Sequence, residues 1–166
     1  MASDRDVLLV VDKAHRGPLD EVRLEFDPLA YKVPPYLTLV YAEEGKRVTG
    51  AAVSKVASQL FRMILRFDQI KIAGDRNVLL IADAESTEYV ESIRKELLEG
   101  KCNPRITLGR GKDRQEAEKI RDFALSKLRL PLVLEFSEVL HEEILVELLP
   151  KEAQAPAWGP ARDAAI

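Results

Sequence analysis

Two short stretches of the chain, 69 residues apart, carry the same pattern and decide the fold: Pro35-Tyr36-Leu37-Thr38-Leu39 and Pro104-Arg105-Ile106-Thr107-Leu108. In each stretch apolar residues alternate with polar ones, which is typical of a β-strand with one buried face. Because alternate side chains of a strand point to the same face, Tyr36 and Thr38 share a face, and so do Arg105 and Thr107.

The same offset of 69 residues runs through both halves of the chain. Phe67 then matches Phe136 and Leu79 matches Leu148. Self-similarity at a fixed offset is the signature of a repeated unit. We therefore predict an internal repeat over about 35–82 and 104–149, with a β-α-β-β order in each half. Chance agreement among leucine-rich strands is the alternative.

Apolar periodicity predicts an α+β fold of two pseudo-symmetric lobes, whose antiparallel sheets surround a central cleft. The predicted strands cover 7–11, 37–41, 64–73, 78–82, 106–108, 130–139 and 144–149. The predicted helices are a short turn over 19–24, a helix over 48–61, one between an N-cap at Ser86 and Gly100, and one that runs to about Leu128 after Asp113, which with Glu116 has the spacing of a capping box. We expect one bilobal domain over 1–149 and a flexible tail, rich in proline and alanine, over 150–166.

Composition excludes several classes of function. The chain has 166 residues and a net charge of −3, so no broad basic field exists to hold long nucleic acid. With one cysteine and two histidines, neither a disulfide framework nor a multi-cysteine zinc site is available, and we expect no metal and no cofactor. There is no apolar run of the ~20 residues that a membrane span needs, and the N-terminus is polar. We therefore expect a cytoplasmic protein that does not enter membranes.

The two repeated stretches carry chemistry suited to an anion. If the lobes are related by a twofold axis, Tyr36, Thr38, Arg105 and Thr107 converge on one cleft. Arginine donates forked, charge-assisted hydrogen bonds and threonine donates neutral ones, which together suit a phosphate group. Tyr36 can stack on a base or donate its phenol. We predict these four residues as the ligand-binding set.

The order of these segments resembles a known family. Segments 22–28 and 33–40 are similar to the lead-in and first motif of the two-histidine phosphoesterase superfamily, including its RNA-ligase-like branch, and segment 104–110 is similar to its second motif. The resemblance covers about residues 6–149. It implies two pseudo-symmetric lobes with a His-apolar-Thr/Ser-apolar motif on each. In the family the two histidines act as general base and general acid on a phosphodiester or a 2′,3′-cyclic phosphate, and the hydroxyl residues hold the phosphate.

This chain departs from the family pattern at both histidine positions, where Tyr36 and Arg105 stand instead. Arginine does not release its proton near neutral pH, and a phenol with a pKa of about 10 is a poor base there. Each positioned acid or base supplies about 10²–10⁴-fold in rate. The resemblance therefore implies a protein without catalytic residues that binds an RNA end or a nucleotide phosphate without cleaving it.

Two other functions stay open at this point. One is an active RNA-processing phosphodiesterase with a rearranged site, in which His15, Tyr36 or Arg105 takes a new role. The other is a protein-interaction module with a vestigial cleft, in which Tyr36 packs inward and the cleft is apolar and filled. The sequence leaves the oligomeric state open.

Residues near the two stretches are candidates for the rim of the cleft. His15 follows the first strand, and Tyr41 and Arg110 come just after the repeated stretches, so we predict all three at the rim. The basic cluster Arg110, Lys112 and Arg114 is either a rim for phosphate or a solvated loop. We expect His141 to be solvated in a hairpin turn and Cys102 to be an unreactive thiol.

Overall fold

The computed structural model describes residues 5–44, 48–142 and 144–150. Within these ranges the chain forms seven strands and four helices, in the order β1 (Val7–Val11), α1 (Gly17–Phe26), β2 (Tyr36–Val40), α2 (Gly50–Ala57), β3 (Met63–Ala73), β4 (Asn77–Ala82), α3 (Ala84–Arg94), β5 (Arg105–Arg110), α4 (Arg114–Lys127), β6 (Leu132–His141) and β7 (Ile144–Glu147), with a 3₁₀ helix over Lys13–His15. The predicted α+β class with antiparallel strands is confirmed. The predicted tail, beyond Pro150, lies outside the described residues.

The seven strands form one antiparallel sheet with β2 and β5 at its two ends. The order is β2-β1-β6-β3-β4-β5, and β7 pairs with β6 off this path. The sheet curves until β2 and β5 approach each other. Because every neighbouring pair on the path is antiparallel, β2 and β5 run in opposite directions. The start of one edge strand therefore lies towards the end of the other.

Four register shifts interrupt the pairing, and they fall into two pairs separated by the same 69 residues. Leu39 of β2 has no partner in the neighbouring strand β1, and Leu108 of β5 has none in β4, so each is an extra residue in its strand. Asp68 of β3 and Ser137 of β6 are extra in the same way. An extra residue bends a strand and reverses the faces of the side chains that follow.

The paired register shifts show which strand of one half of the sheet corresponds to which strand of the other half. β2 corresponds to β5, β6 to β3 and β1 to β4, whereas β7, which the sequence offset aligns with β4, lies off the main path. The shifts support the internal repeat, which itself stays a prediction.

Apolar side chains from the matched strands form the core. Phe67 and Phe136 are both 0% exposed and their ring centroids lie 6.1 Å apart. The inward residues of β2 and β5, such as Leu37 and Ile106, are also 0% exposed. Burying each such side chain stabilises the fold by about 1.5–3 kcal/mol. No helix in the described ranges is long and apolar enough to cross a membrane.

Helix ends follow local capping chemistry. Asp113 caps α4 as predicted, since its carboxylate accepts from the Glu116 backbone N–H at 2.8 Å. Asp83, and not Ser86, caps α3, because its carboxylate reaches the Ser86 N–H at 2.8 Å. The Ser86 hydroxyl instead accepts from the Arg66 N–H and ties α3 to β3. α3 ends at Arg94, before the predicted Gly100, and the predicted turn over 19–24 is part of the longer α1.

Candidate functional site

A cavity of about 300 Å³ lies between the two edge strands and is called the β2–β5 groove below. Its walls are lined by Asp27, Pro28, Leu29, Tyr36, Thr38, Tyr41, Ala73, Asn77, Leu79, Arg105, Thr107 and Arg110. The structure thus brings the four residues of the predicted ligand-binding set to one groove, and it adds Tyr41 and Arg110 from the predicted rim.

The register shifts decide which side chains reach the groove. Strict alternation after Thr38 and Thr107 would turn Tyr41 and Arg110 to the opposite face. Because Leu39 and Leu108 are extra residues, the alternation restarts one position later, and Tyr41 and Arg110 return to the groove face.

Positive charge in the groove exceeds the negative charge that faces it. Asp27 is the one carboxylate residue among the lining residues. Its Oδ2 pairs with the buried Arg23 Nε at 3.2 Å, and its Oδ1 accepts from the Leu29 N–H at 3.0 Å. Neither Arg105 nor Arg110 has an ion pair with any described residue. The groove therefore presents two guanidinium groups whose charge is not neutralised by any residue in the described part of the chain.

The hydroxyl groups of the groove are also available to a ligand. Thr38 and Thr107 are half-buried, and no side chain in the described ranges bonds to their hydroxyls. Burial, followed by the nearby Asp27 carboxylate, raises the pKa of Tyr36 to about 12. Its phenol is therefore neutral at physiological pH and is able to donate a hydrogen bond to a ligand, but it does not accept a proton as a base.

Two lining residues of the groove, Arg105 and Tyr41, form a cation–π contact. The Arg105 guanidinium carbon lies 5.8 Å from the centre of the Tyr41 ring. The Tyr41 backbone N–H donates to Glu44 Oε1 at 3.0 Å. Glu44 in turn accepts two hydrogen bonds from Arg94, at 2.9 and 2.8 Å, and Arg94 also donates to the Leu39 carbonyl at 3.0 Å. This buried arginine fixes the segment that carries Tyr41.

Sequence reasoning missed Arg94 because an arginine on a helix is usually a solvated residue. No pattern in the sequence singles it out. Its partners lie at positions 39 and 44, and only the tertiary structure brings them together.

The Glu44–Arg94 pair predicts a pH dependence of stability. The hydrogen bonds from Arg94 hold the pKa of Glu44 below its ordinary value of 4.5. The folded state therefore binds fewer protons than the unfolded state near this pH, so the stabilisation is complete above about 4.5 and is lost as the pH falls through the lowered pKa. In urea titrations from pH 7 into the acid range, the stability advantage of the wild type over Glu44→Gln is expected to stay constant down to about pH 4.5 and to shrink at lower pH. A constant difference across that range would contradict the assignment.

Both histidines lie outside the groove lining. His15, predicted at the rim, is not there because the backbone after β1 turns towards β6, where Asp12 N–H donates to the Glu135 carbonyl at 2.7 Å. The His15 ring Nδ1 lies 3.4 Å from the Glu135 backbone nitrogen. The prediction of a solvated His141 is wrong: β6 extends to this residue, which is 4% exposed, and its ring nitrogen lies 3.4 Å from the Asp6 carbonyl.

The remaining candidates do not extend the site. Arg114 pairs with Asp75 at 3.2 Å and with Glu118 at 3.7 Å, so of the predicted basic cluster Arg110 alone faces the groove. Burial raises the pKa of the Cys102 thiol, which keeps it protonated and unreactive at neutral pH. The described ranges hold no cluster of three or more histidine, cysteine, aspartate or glutamate residues placed to bind a metal ion.

A larger cavity of about 690 Å³ lies elsewhere, against α3 and the centre of the sheet. Its lining includes the apolar residues Ile64 and Val133 and the acidic residues Glu85 and Glu88. It is wider and more apolar, but convergent donors with free hydrogen-bonding capacity are found in the smaller β2–β5 groove. The chemistry of the groove, and not the size of the cavity, makes it the candidate site.

Fold and groove together define an α+β protein with a curved antiparallel sheet and a basic, hydroxyl-lined groove between its edge strands. A solved structure of Usb1 from Kluyveromyces marxianus resembles this chain with a TM-score of 0.49 and 12% sequence identity, over 87% of this chain and 96% of that one. No protein-family profile matches the chain, and no curated protein sequence matches it.

Proposed function

We propose that the β2–β5 groove binds a phosphate ester, either an RNA end or a nucleotide phosphate, and does not cleave it. The observation that carries this proposal is the pair of un-neutralised guanidinium groups, Arg105 and Arg110, beside the unbonded hydroxyls of Thr38 and Thr107. Positive charge that has no counter-ion among the described residues favours the entry of an anion into the groove.

Each residue has a defined part in this proposal. Arg105 donates a forked pair of hydrogen bonds to phosphate oxygens. Thr38 and Thr107, from opposite walls, donate to the same group. Tyr41, which is 38% exposed as a residue, offers an aromatic ring on which a base can stack. Asn77 lies in the same lining and carries an amide that donates and accepts.

The lining argues for binding without catalysis. It contains no histidine, the Tyr36 phenol has a pKa of about 12, and the one carboxylate, Asp27, is held by Arg23. A general acid or base works best with a pKa near the operating pH. We propose that the chain is a two-histidine phosphoesterase-like protein in which Tyr36 and Arg105 occupy the positions of the family's histidines.

The third function, a vestigial and filled cleft, fits the groove less well. That function required Tyr36 to pack inward and the cleft to be apolar. Tyr36 instead lines an open cavity that two arginines also face.

Calorimetric titration with uridine 2′,3′-cyclic monophosphate tests the proposal. Wild type is expected to bind, and Arg105→Ala to weaken the affinity about 10- to 100-fold, since hydrogen bonds to a charged group each contribute about 1.5–3 kcal/mol. Thr38→Val and Thr107→Val are each expected to weaken it about 2- to 10-fold, because their hydrogen bonds are neutral. The nucleotide is expected to be recovered intact.

The matched control is Arg121→Ala, which removes the same charge from a half-buried arginine on α4, outside the groove lining. It is expected to bind like wild type. Equal losses in Arg105→Ala and Arg121→Ala would mean that net charge, and not the groove, attracts the nucleotide. Absence of binding to wild type would overturn the proposal.

A further inference from the structure

The two arginines of the groove stand at opposite ends of one strand. Arg105 begins β5 and Arg110 ends it. At about 3.3 Å per residue, their Cα atoms are roughly 15 Å apart, with Thr107 between them. A single phosphoryl group that is bound by one of these guanidinium groups therefore lies at the end of the groove where that arginine stands, and it does not reach the other arginine.

The opposite directions of β2 and β5 give the groove two distinct ends. Arg105 lies against Tyr41, which follows the end of β2, at 5.8 Å. The end of β5, with Arg110, consequently lies towards Tyr36, where β2 begins. Each end thus combines one arginine with one tyrosine, and the two threonines lie between them.

The charge at the Arg110 end has no function in the binding of a single phosphate at Arg105. Arg110 has no ion pair within the described ranges, and it reaches the groove only because Leu108 is an extra residue. Un-neutralised positive charge at two separated points suits a ligand with anionic groups at two separated points.

From this placement we infer that the groove takes a ligand with two phosphoryl groups separated by one nucleoside, with Arg105 binding one group and Arg110 the other. This inference rests on the proposed function and specifies its ligand class as a nucleoside bisphosphate or the terminal unit of a phosphorylated oligonucleotide. The cavity of about 300 Å³ is at the lower end of the range for small-molecule sites, which suits a ligand of this size.

The test compares three probes at one ionic strength: adenosine 5′-monophosphate, adenosine 3′-monophosphate and adenosine 3′,5′-bisphosphate. Wild type is expected to bind the bisphosphate at least about ten times more tightly than either monophosphate. In Arg110→Ala that advantage is expected to fall to less than about threefold, while affinity for the better-bound monophosphate stays within about threefold of wild type. Arg114→Ala, which removes an arginine four residues away that is already paired, is expected to keep the full advantage.

The outcomes separate this inference from the proposed function. If the monophosphates bind in an Arg105-dependent way and the bisphosphate binds no better, the two-phosphate inference is wrong and the proposed function stands. If the advantage survives in Arg110→Ala, the second phosphate is held elsewhere and the inference is overturned. If none of the three probes binds wild type, both fail.

Discussion

The double variant Tyr36→His with Arg105→His is expected to hydrolyse uridine 2′,3′-cyclic monophosphate, because it adds two imidazoles to a groove whose described lining holds no histidine. Both positions line the groove together with Thr38 and Thr107, which would hold the phosphate. Two imidazoles supply a general base and a general acid near neutral pH. Because each contributes about 10²–10⁴-fold, the pair is expected to raise the rate by about 10⁴-fold or more above the wild-type background.

The measurement is chromatographic detection of the ring-opened nucleotide over several hours. The matched control is Tyr36→Phe with Arg105→Gln, which changes the same positions without adding a proton carrier and is expected to stay inactive. Adding Thr107→Val to the histidine variant is expected to lower the gained rate. A folded histidine variant that is no faster than the control would count against the proposed relation to the two-histidine phosphoesterases.

Loss of the Asp27 charge is expected to destabilise the fold by about 3 kcal/mol or more. Arg23 and Asp27 have side chains that are 1% and 7% exposed, with Nε and Oδ2 3.2 Å apart. Arg23 Nη2 donates to the Val33 carbonyl at 3.0 Å, and its Nη1 has no hydrogen-bond partner in the described ranges. Asp27→Asn keeps the shape of the side chain but leaves a buried guanidinium without a counter-ion.

Urea unfolding of wild type and variant measures this effect. The control is Asp122→Asn, which breaks an ion pair with Arg121 on the protein surface, where the aspartate side chain is 68% exposed. Its expected cost is within about 1 kcal/mol, because exposed pairs contribute little. If both variants lower the free energy of unfolding by a similar amount, the Arg23–Asp27 pair stabilises the fold no more than an exposed ion pair does.

The sequence was sufficient to predict the main elements and the residues that meet in the groove. Periods of two and of about 3.6 residues are local properties, so β3, β4 and α4 appear in the sequence close to their observed bounds. The capping of α4 by Asp113 was predictable because it depends only on the local spacing of Asp113 and Glu116. Tyr36, Thr38, Arg105 and Thr107 were predictable because the repeated stretches imply equivalent positions, and equivalent edge strands of one curved sheet approach each other.

Local patterns were misleading where a distant residue decides the outcome. Ser86 has the chemistry of an N-cap, yet it bonds to Arg66 of β3 while Asp83 caps the helix. His141 sits in a polar stretch that is typical of an exposed turn, yet pairing of β6 with β1 buries it.

The sequence by itself determined the fold class and the four residues of the repeated stretches, since both follow from short-range alternation and a constant offset. The tertiary structure decided which of the three predicted rim residues reach the groove, since Tyr41 and Arg110 line it and His15 turns away, and it alone showed that Asp27 is neutralised by Arg23. The physical reason is that a one-residue register shift reverses the face of every side chain after it, and such a shift depends on pairing with a strand many residues away.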